Sequence, residues 1–211
     1  MFENFQLKNN NVTNEGDVIR DIVPIMCGDA NFVSRQNLLF TQLDPITNNT
    51  TVHAKRDFYD GACLKNIDKQ VQEELEEYII PTTYTKAPLV PNFFLEVKSP
   101  SGGMDVAERQ DCYNGALGSR GMHQLQSYKQ HEPGYDGNAY TITTTHLGGI
   151  LKMYTTHPTQ AEDGTTEYKM YQIGGWDTLG DPDSCRRGFA TFRQSRDWAQ
   201  EQPGCIHLSC E

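Results

Sequence analysis

The 211-residue chain has few hydrophobic residues, which make up 36% of it, and it has no long apolar run. No stretch approaches the roughly 18 consecutive apolar residues that a transmembrane helix needs, so the sequence predicts no contact with a membrane. The N-terminus also lacks the basic start and the apolar segment of a secretory signal. We therefore expect an intracellular protein, cytoplasmic or nuclear, with a modest core and long polar connections.

Positive charge is also scarce, because 18 Lys and Arg residues face 28 Asp and Glu residues and leave a net charge of −10. This balance argues against a protein that coats nucleic acid through bulk electrostatics. It is compatible with an enzyme that gathers carboxylates around a divalent cation. The six cysteines form no CxxC pair, so a structural zinc site has little support, and reduced thiols are the favoured interpretation.

The hydrophobic pattern predicts an α/β domain over residues 14–202, with an N-terminal extension at 1–13 and a loose C-terminal tail at 203–211. Helical spacing or capping residues predict helices over 14–23, 64–80, 104–128 and from 181 onward. Short apolar or alternating runs predict strands over 37–43, the first half of 51–62, 93–98, 139–145, 150–156 and 168–173. Leu147-Gly148-Gly149 is typical of a hairpin turn.

The strand over residues 93–98 carries two charges at its end, in the run Phe93-Phe94-Leu95-Glu96-Val97-Lys98. Residues two apart on a strand share a face, so Glu96 and Lys98 lie side by side while Val97 points into the core. Two charges at the end of a buried strand are costly unless they are paired or used. The alternative is a strand-end ion pair of little energetic value.

Other acids could join this pair. Asp57 lies near the end of the second predicted strand, and Asp60 in a predicted turn at Asp60-Gly61 is its rival. Glu15 falls in the first turn of a helix, where a carboxylate is favourable whether or not it has a further role. The loop at 99–103 leads from a strand into a helix, but it has neither a Walker lysine nor a GxGxxG pattern, so no nucleotide site is predicted.

Four histidines, at positions 123, 131, 146 and 157, lack the spacing of metal ligands. We expect each of them to be a packed or surface residue.

The order helix–strand–strand–strand–helix–strand, with Asp57 on the second strand and Glu96-Val97-Lys98 on the third, resembles the PD-(D/E)XK nuclease superfamily. The chain is more closely similar to nuclease-like domains in large fungal proteins of unknown function. The resemblance covers about residues 15–198, and it is carried by the segments 57–62, 91–98, 109–116, 138–143 and 153–158.

This resemblance implies a restriction-endonuclease-like fold, a central mixed sheet flanked by helices, and a catalytic site that binds Mg²⁺ or Mn²⁺. Asp57 and Glu96 match the acidic metal ligands, the Val97 carbonyl matches the backbone ligand between the motif residues, and Lys98 matches the catalytic lysine. On the following helix, Gln110 matches a glutamine that some relatives carry.

Tyr113 completes the Gln-x-x-Tyr pattern of that helix, and Glu15 matches a first-helix acid of the superfamily. Two departures stand out. Arg56 occupies the place of the motif's proline, and 38 residues separate Asp57 from Glu96, which we attribute to a helical insertion at 64–80.

The resemblance implies two possible functions. One is metal-dependent hydrolysis of phosphodiester bonds in DNA or RNA. The other is a nuclease-like fold that serves as an inactive interaction or recognition module for other protein domains or partners.

Overall fold

The computed structural model describes residues 2–29, 32–47, 55–131 and 134–208. Six strands form one sheet: β1 (Ser34–Leu39), β2 (Lys55–Ala62), β3 (Leu89–Lys98), β4 (Thr141–Leu147), β5 (Ile150–Gln160) and β6 (Thr166–Asp177). The helices are α1 (Phe2–Asn10), α2 (Glu15–Asp17), α3 (Val23–Cys27), α4 (Lys69–Glu74), α5 (Glu76–Ile79), α6 (Met104–Ser127) and α7 (Pro182–Leu208). A π-helical segment, Val18–Ile22, joins α2 to α3, and a 3-10 turn, Leu64–Asn66, precedes α4.

The strands lie in the sheet in the order in which they follow along the chain. β1, β2 and β3 pair antiparallel, β3 and β4 pair parallel, and β4, β5 and β6 pair antiparallel. The parallel pair requires a crossover, and α6 provides it. The fold is therefore an α/β fold with a mixed sheet and helices on both faces.

All ten residues of β3 are buried, and its apolar side chains from Phe93 to Val97 alternate between two cores. Phe93, Leu95 and Val97 enter the larger core, together with apolar residues of α1, α3 and α7. Phe94 points to the opposite face and packs with Tyr59 of β2 and Leu117 of α6. This alternation confirms that Val97 faces the core and leaves Glu96 on the face covered by α6.

Helix α6 lies close to the sheet because it presents glycines to it. A Cβ added at Gly118 would lie 2.7 Å from the Pro91 carbonyl oxygen and 2.9 Å from the Phe94 ring. Those distances are shorter than a carbon contact allows, so any larger residue would push the helix away. The predicted helix at 104–128 is confirmed, and its small residues set the separation between α6 and the sheet.

Helix α1 lies within the segment predicted as an N-terminal extension, and it packs against the core of the domain. Phe5 of α1 is completely buried in the larger core, where its ring meets the Phe189 ring edge-on with a centroid distance of 5.0 Å. Phe5 is the one fully buried residue of α1, so the segment shows no helical period of apolar residues that could reveal it.

The predicted loose tail is likewise helical, because α7 continues past Pro203 to Leu208. A proline inside a helix has no N–H to offer to the carbonyl four residues earlier, which here belongs to Ala199. The side-chain amide of Asn92 donates to that carbonyl at 2.6 Å and replaces the missing hydrogen bond.

Three internal predictions need smaller corrections. The first strand lies at 34–39 instead of 37–43, and the helix predicted at 64–80 is broken into a 3-10 turn and two short helices. Asp60-Gly61 is not a turn, because β2 continues to Ala62 with a register shift against β3 after Asp60. Residues 51–54 of the predicted second strand lie outside the described ranges. The hairpin between β4 and β5 is confirmed, with positive φ angles of 56° and 86° at Gly148 and Gly149.

Candidate active site

The carboxylate of Asp57 meets the end of β3 directly. The backbone N–H of Val97 donates to Asp57 Oδ2 at 2.9 Å, which links the second strand to the Glu96-Val97-Lys98 triplet. Phe58 of β2 is paired with Leu95 of β3, and the strands are antiparallel, so the next residues, Asp57 and Glu96, lie opposite each other. The structure therefore brings together the three residues that the sequence singled out, in a buried place where Asp57 is 9% exposed and Glu96 is 2% exposed.

Lys98 is the cation of this group and is 6% exposed. Its Nζ donates to the Val97 carbonyl oxygen at 3.0 Å, and it lies 3.3 Å from Glu15 Oε1 and 3.8 Å from Asp57 Oδ2. Glu15 is half-exposed at the start of α2 and thus reaches the site from the first helix. The lysine joins the strand end to both acids.

Glu96 receives one hydrogen bond of standard geometry, and its carboxyl group also lies against that of Asp57. The Asn114 amide of α6 donates to Glu96 Oε1 at 2.6 Å, whereas Glu96 Oε2 has no hydrogen-bond partner in the described part of the chain. The sequence analysis missed Asn114. It lies four residues after Gln110, so helical spacing from the predicted Gln110 could have indicated it.

Burial changes the protonation of the acids. The pKa of Glu96 is raised to about 8, first by desolvation and then by the charge of Asp57. Desolvation also raises the pKa of Asp57, although the hydrogen bond from the Val97 N–H and the charge of Lys98 act in the opposite direction. Two carboxylates that share so little solvent do not both ionise readily, so the site retains a proton near neutral pH unless a further cation compensates the charge.

Arg56 also reaches the site, where the resemblance would have a proline. It is 3% exposed, and its guanidinium lies 5.1 Å from the Phe40 ring centroid and 5.5 Å from the Tyr113 ring centroid. The Glu96 carboxylate favours the charged form of Arg56, while burial opposes it and lowers the arginine's pKa overall. Tyr113 thus supports a buried cation beside the acids.

Gln110 is less closely joined to the group. Its Oε1 is buried without a hydrogen-bond partner among the described residues, and no hydrogen bond links its side chain to Asp57, Glu96 or Lys98 within those ranges. The prediction that Gln110 is part of the site therefore rests on the resemblance and its position on α6.

Asp60, the predicted rival of Asp57, is engaged elsewhere. Arg196 of α7 donates to its two oxygens at 2.7 and 3.1 Å, and both residues are 2% exposed. The same guanidinium lies over the rings of Phe32 and Phe58. A carboxylate paired in this way joins α7 to β2, so Asp57 is the better candidate ligand.

The donor set at the site fits a hard cation. Within the described ranges, no group of three or more His, Cys, Asp or Glu side chains has the arrangement of a metal site. The candidate ligands are the carboxylates of Asp57 and Glu96 and the carbonyl oxygen of Val97. Glu96 Oε2 is buried and has no hydrogen-bond partner of standard geometry among the described residues, and oxygen donors of this kind suit Mg²⁺, which keeps several waters.

Two of the predicted packed histidines are indeed buried. His146 is 1% exposed, and its ring meets the Phe5 ring edge-on with a centroid distance of 6.5 Å. His123 is 4% exposed and packs against the ring of Tyr135.

One family model matches residues 3–181, and its description is Domain of unknown function (DUF7924). No curated protein and no solved structure matches the chain. Among the helices that the structure describes, none is both long enough and apolar enough to cross a membrane.

Proposed function

We propose that this chain, which belongs to the DUF7924 family, is a metal-dependent nuclease that hydrolyses phosphodiester bonds of DNA or RNA. The observation that carries the proposal is the convergence of Asp57, Glu96 and Lys98 at one buried strand end, where Glu96 Oε2 has no hydrogen-bond partner of standard geometry in the described part of the chain. Unpaired carboxylate oxygens are expensive to bury, so a group that binds to them accounts for their presence.

The strand arrangement supports the same proposal. An antiparallel β1–β2–β3 meander, a crossover helix and a parallel β4 agree with the restriction-endonuclease-like core that the resemblance implies. Asp57 and the triplet Glu96-Val97-Lys98 lie on the strands where that core would have its motif.

Each residue has a distinct role in this reaction. Asp57, Glu96 and the Val97 carbonyl would hold the cation, which supplies Lewis acidity and lowers the pKa of a bound water. Asn114 would orient Glu96 through Oε1 and leave Oε2 as the oxygen that binds the cation. Lys98 stabilises the negative charge that develops on the phosphate or holds the attacking water.

The second candidate is a recognition module without catalysis. The net charge of −10 and the arginine at position 56 favour it, because nucleic acid is repelled by an acidic surface and the motif's proline is missing. This candidate predicts binding of other protein domains and no metal-dependent cleavage.

Cleavage assays on single- and double-stranded DNA and RNA, with Mg²⁺, Mn²⁺ or chelator, separate the two candidates. We expect metal-dependent cleavage by the wild-type protein and a loss of at least about 100-fold in rate for Lys98→Ala, since the developing charge loses its stabilising group. Lys69→Ala removes the same charge at an exposed position on α4 and serves as the control. Cleavage unchanged in Lys98→Ala, or absent from the wild-type protein on every substrate, contradicts the proposed site.

A further inference from the structure

Asp111 of α6 is an acid that the roles above do not use. It is completely buried, and no Lys, Arg or His side chain pairs with it in the described chain; the Thr143 hydroxyl is the hydrogen-bonding side chain beside it. Asp60 provides the comparison, because it is buried to a similar extent but is paired with a guanidinium. A buried carboxyl group without such a partner lowers stability, so its presence requires another explanation.

The position of Asp111 relates it to the candidate active site. Asn114, three residues further on the same helix, donates to Glu96, so the two α6 residues share the helix face that covers the end of β3. After desolvation, the charge of Glu96 is the strongest influence that raises the pKa of Asp111, and Lys98 and Asp57 also act on it. Asp111 thus lies within electrostatic reach of the three proposed catalytic residues.

The space between α6 and the sheet is polar at this point. Beside Asp111, Glu96 Oε2 and Asn114 Oδ1 are buried without hydrogen-bond partners of standard geometry in the described ranges, and the hydroxyl groups of Thr143 and Thr145 are buried there as well. Thr145 is the register partner of Glu96, and Thr143 is the register partner of Phe94. Several buried polar groups on the sheet face that α6 covers are more consistent with a hydrated site than with an apolar packed interface.

We propose that Asp111 is a third acid of the cation site, a positioning residue that accepts hydrogen bonds from the cation's bound water instead of ligating the cation. The inference rests on the proposed cation site at Asp57 and Glu96. An outer role is favoured because Asp111, Asp57 and Glu96 do not form a three-acid cluster with the arrangement of a metal site. Groups in that position usually change metal affinity by about 10- to 100-fold.

The test compares Mn²⁺ binding by the wild-type protein with binding by Asp111→Asn, a replacement of the same shape without the charge. Electron paramagnetic resonance of unbound Mn²⁺ gives the dissociation constant, and thermal unfolding in chelator gives the stability without the cation. We expect Asp111→Asn to weaken Mn²⁺ binding by about 10- to 100-fold. We also expect an unfolding temperature no lower than that of the wild-type protein, because an unpaired buried acid is removed.

Asp105→Asn is the matched control, since it makes the same change on the same helix at a side chain that is 71% exposed and paired with Arg109. It should alter the dissociation constant less than twofold. Equal Mn²⁺ affinity in Asp111→Asn and the wild-type protein would overturn the role of Asp111, and so would a lower unfolding temperature with unchanged affinity. A wild-type protein that binds no Mn²⁺ would instead overturn the proposed cation site itself.

Discussion

Replacing Asp60 with Asn should destabilise the protein strongly, whereas the same replacement at Asp57 should not. Asp60 and Arg196 are each 2% exposed, and two hydrogen bonds of 2.7 and 3.1 Å join them. Removing the carboxylate leaves a buried guanidinium without its counter-charge, which costs about 3–5 kcal/mol. For a chain of this size, that loss lowers the melting temperature by about 6–20 °C.

Asp57 differs because burial raises its pKa and its nearest cation, Lys98, is 3.8 Å away. An asparagine at this position can still accept the Val97 N–H through its amide oxygen. We therefore expect Asp57→Asn to change the free energy of unfolding by less than about 1 kcal/mol, the usual worth of a single neutral hydrogen bond. Its effect should appear in metal-dependent cleavage.

Urea unfolding of the two variants in chelator, followed by circular dichroism, measures both predictions in one experiment. The double variant Asp60→Leu with Arg196→Met shows how much of the loss comes from an unpaired charge, since it should recover most of the stability that Asp60→Asn loses. A loss below about 1 kcal/mol in Asp60→Asn would refute the assignment of Asp60 to a structural ion pair. A large loss in Asp57→Asn would refute the distinction between the two aspartates.

Two further predictions concern the pH dependence of stability. The pKa of Glu96 is raised from 4.5 to about 8 in the folded protein. Between those pH values the unfolded chain has lost this proton while the folded protein keeps it, so the free energy of unfolding falls as pH rises. Urea unfolding at pH 5 and pH 8 should show a smaller fall in Glu96→Gln than in the wild-type protein. Burial lowers the pKa of His146 from 6.5 to about 4. Between those pH values the unfolded chain binds this proton while the folded protein does not. The free energy of unfolding therefore falls by up to about 1.4 kcal/mol for each pH unit as pH drops from 6.5 to 4. His146→Leu should reduce this acid-side decline, and an unchanged decline would mean that His146 is not buried in its neutral form.

The elements that the sequence predicted well are those with a local signal. β3 is a run of buried residues ended by two charges, α6 has helical spacing with glycines on its packed face, and Gly148-Gly149 supplies the positive φ angles of a hairpin. The face alternation of β3 alone was enough to place Glu96 and Lys98 together.

The errors arose where distant residues decide the local structure. Asp60-Gly61 has the composition of a turn, but Arg196, 136 residues further along the chain, pairs with Asp60 and keeps it inside β2. Pro203 is a residue type that usually ends a helix, but the side-chain amide of Asn92 on β3 donates to the Ala199 carbonyl, which the proline leaves without a hydrogen bond. No window around either site contains the partner that determines its conformation.

The same reasoning separates structural acids from functional ones in this protein. The chain gives Asp60 an arginine at hydrogen-bond distance on both oxygens. Glu96 receives one amide hydrogen bond, and Asp111 has the Thr143 hydroxyl beside it but no cationic side chain paired with it in the described ranges. The folded chain pairs Asp60 with an arginine on both oxygens and, in the part that the structure describes, gives Glu96 and Asp111 no such pair. The buried acids with the least compensation therefore lie together near the end of β3, where Lys98 and Arg56 act on more than one carboxyl group. A divalent cation at that point would compensate these acids. The buried, poorly paired carboxyl groups are therefore a stronger reason to test for metal binding than the Glu-x-Lys motif alone.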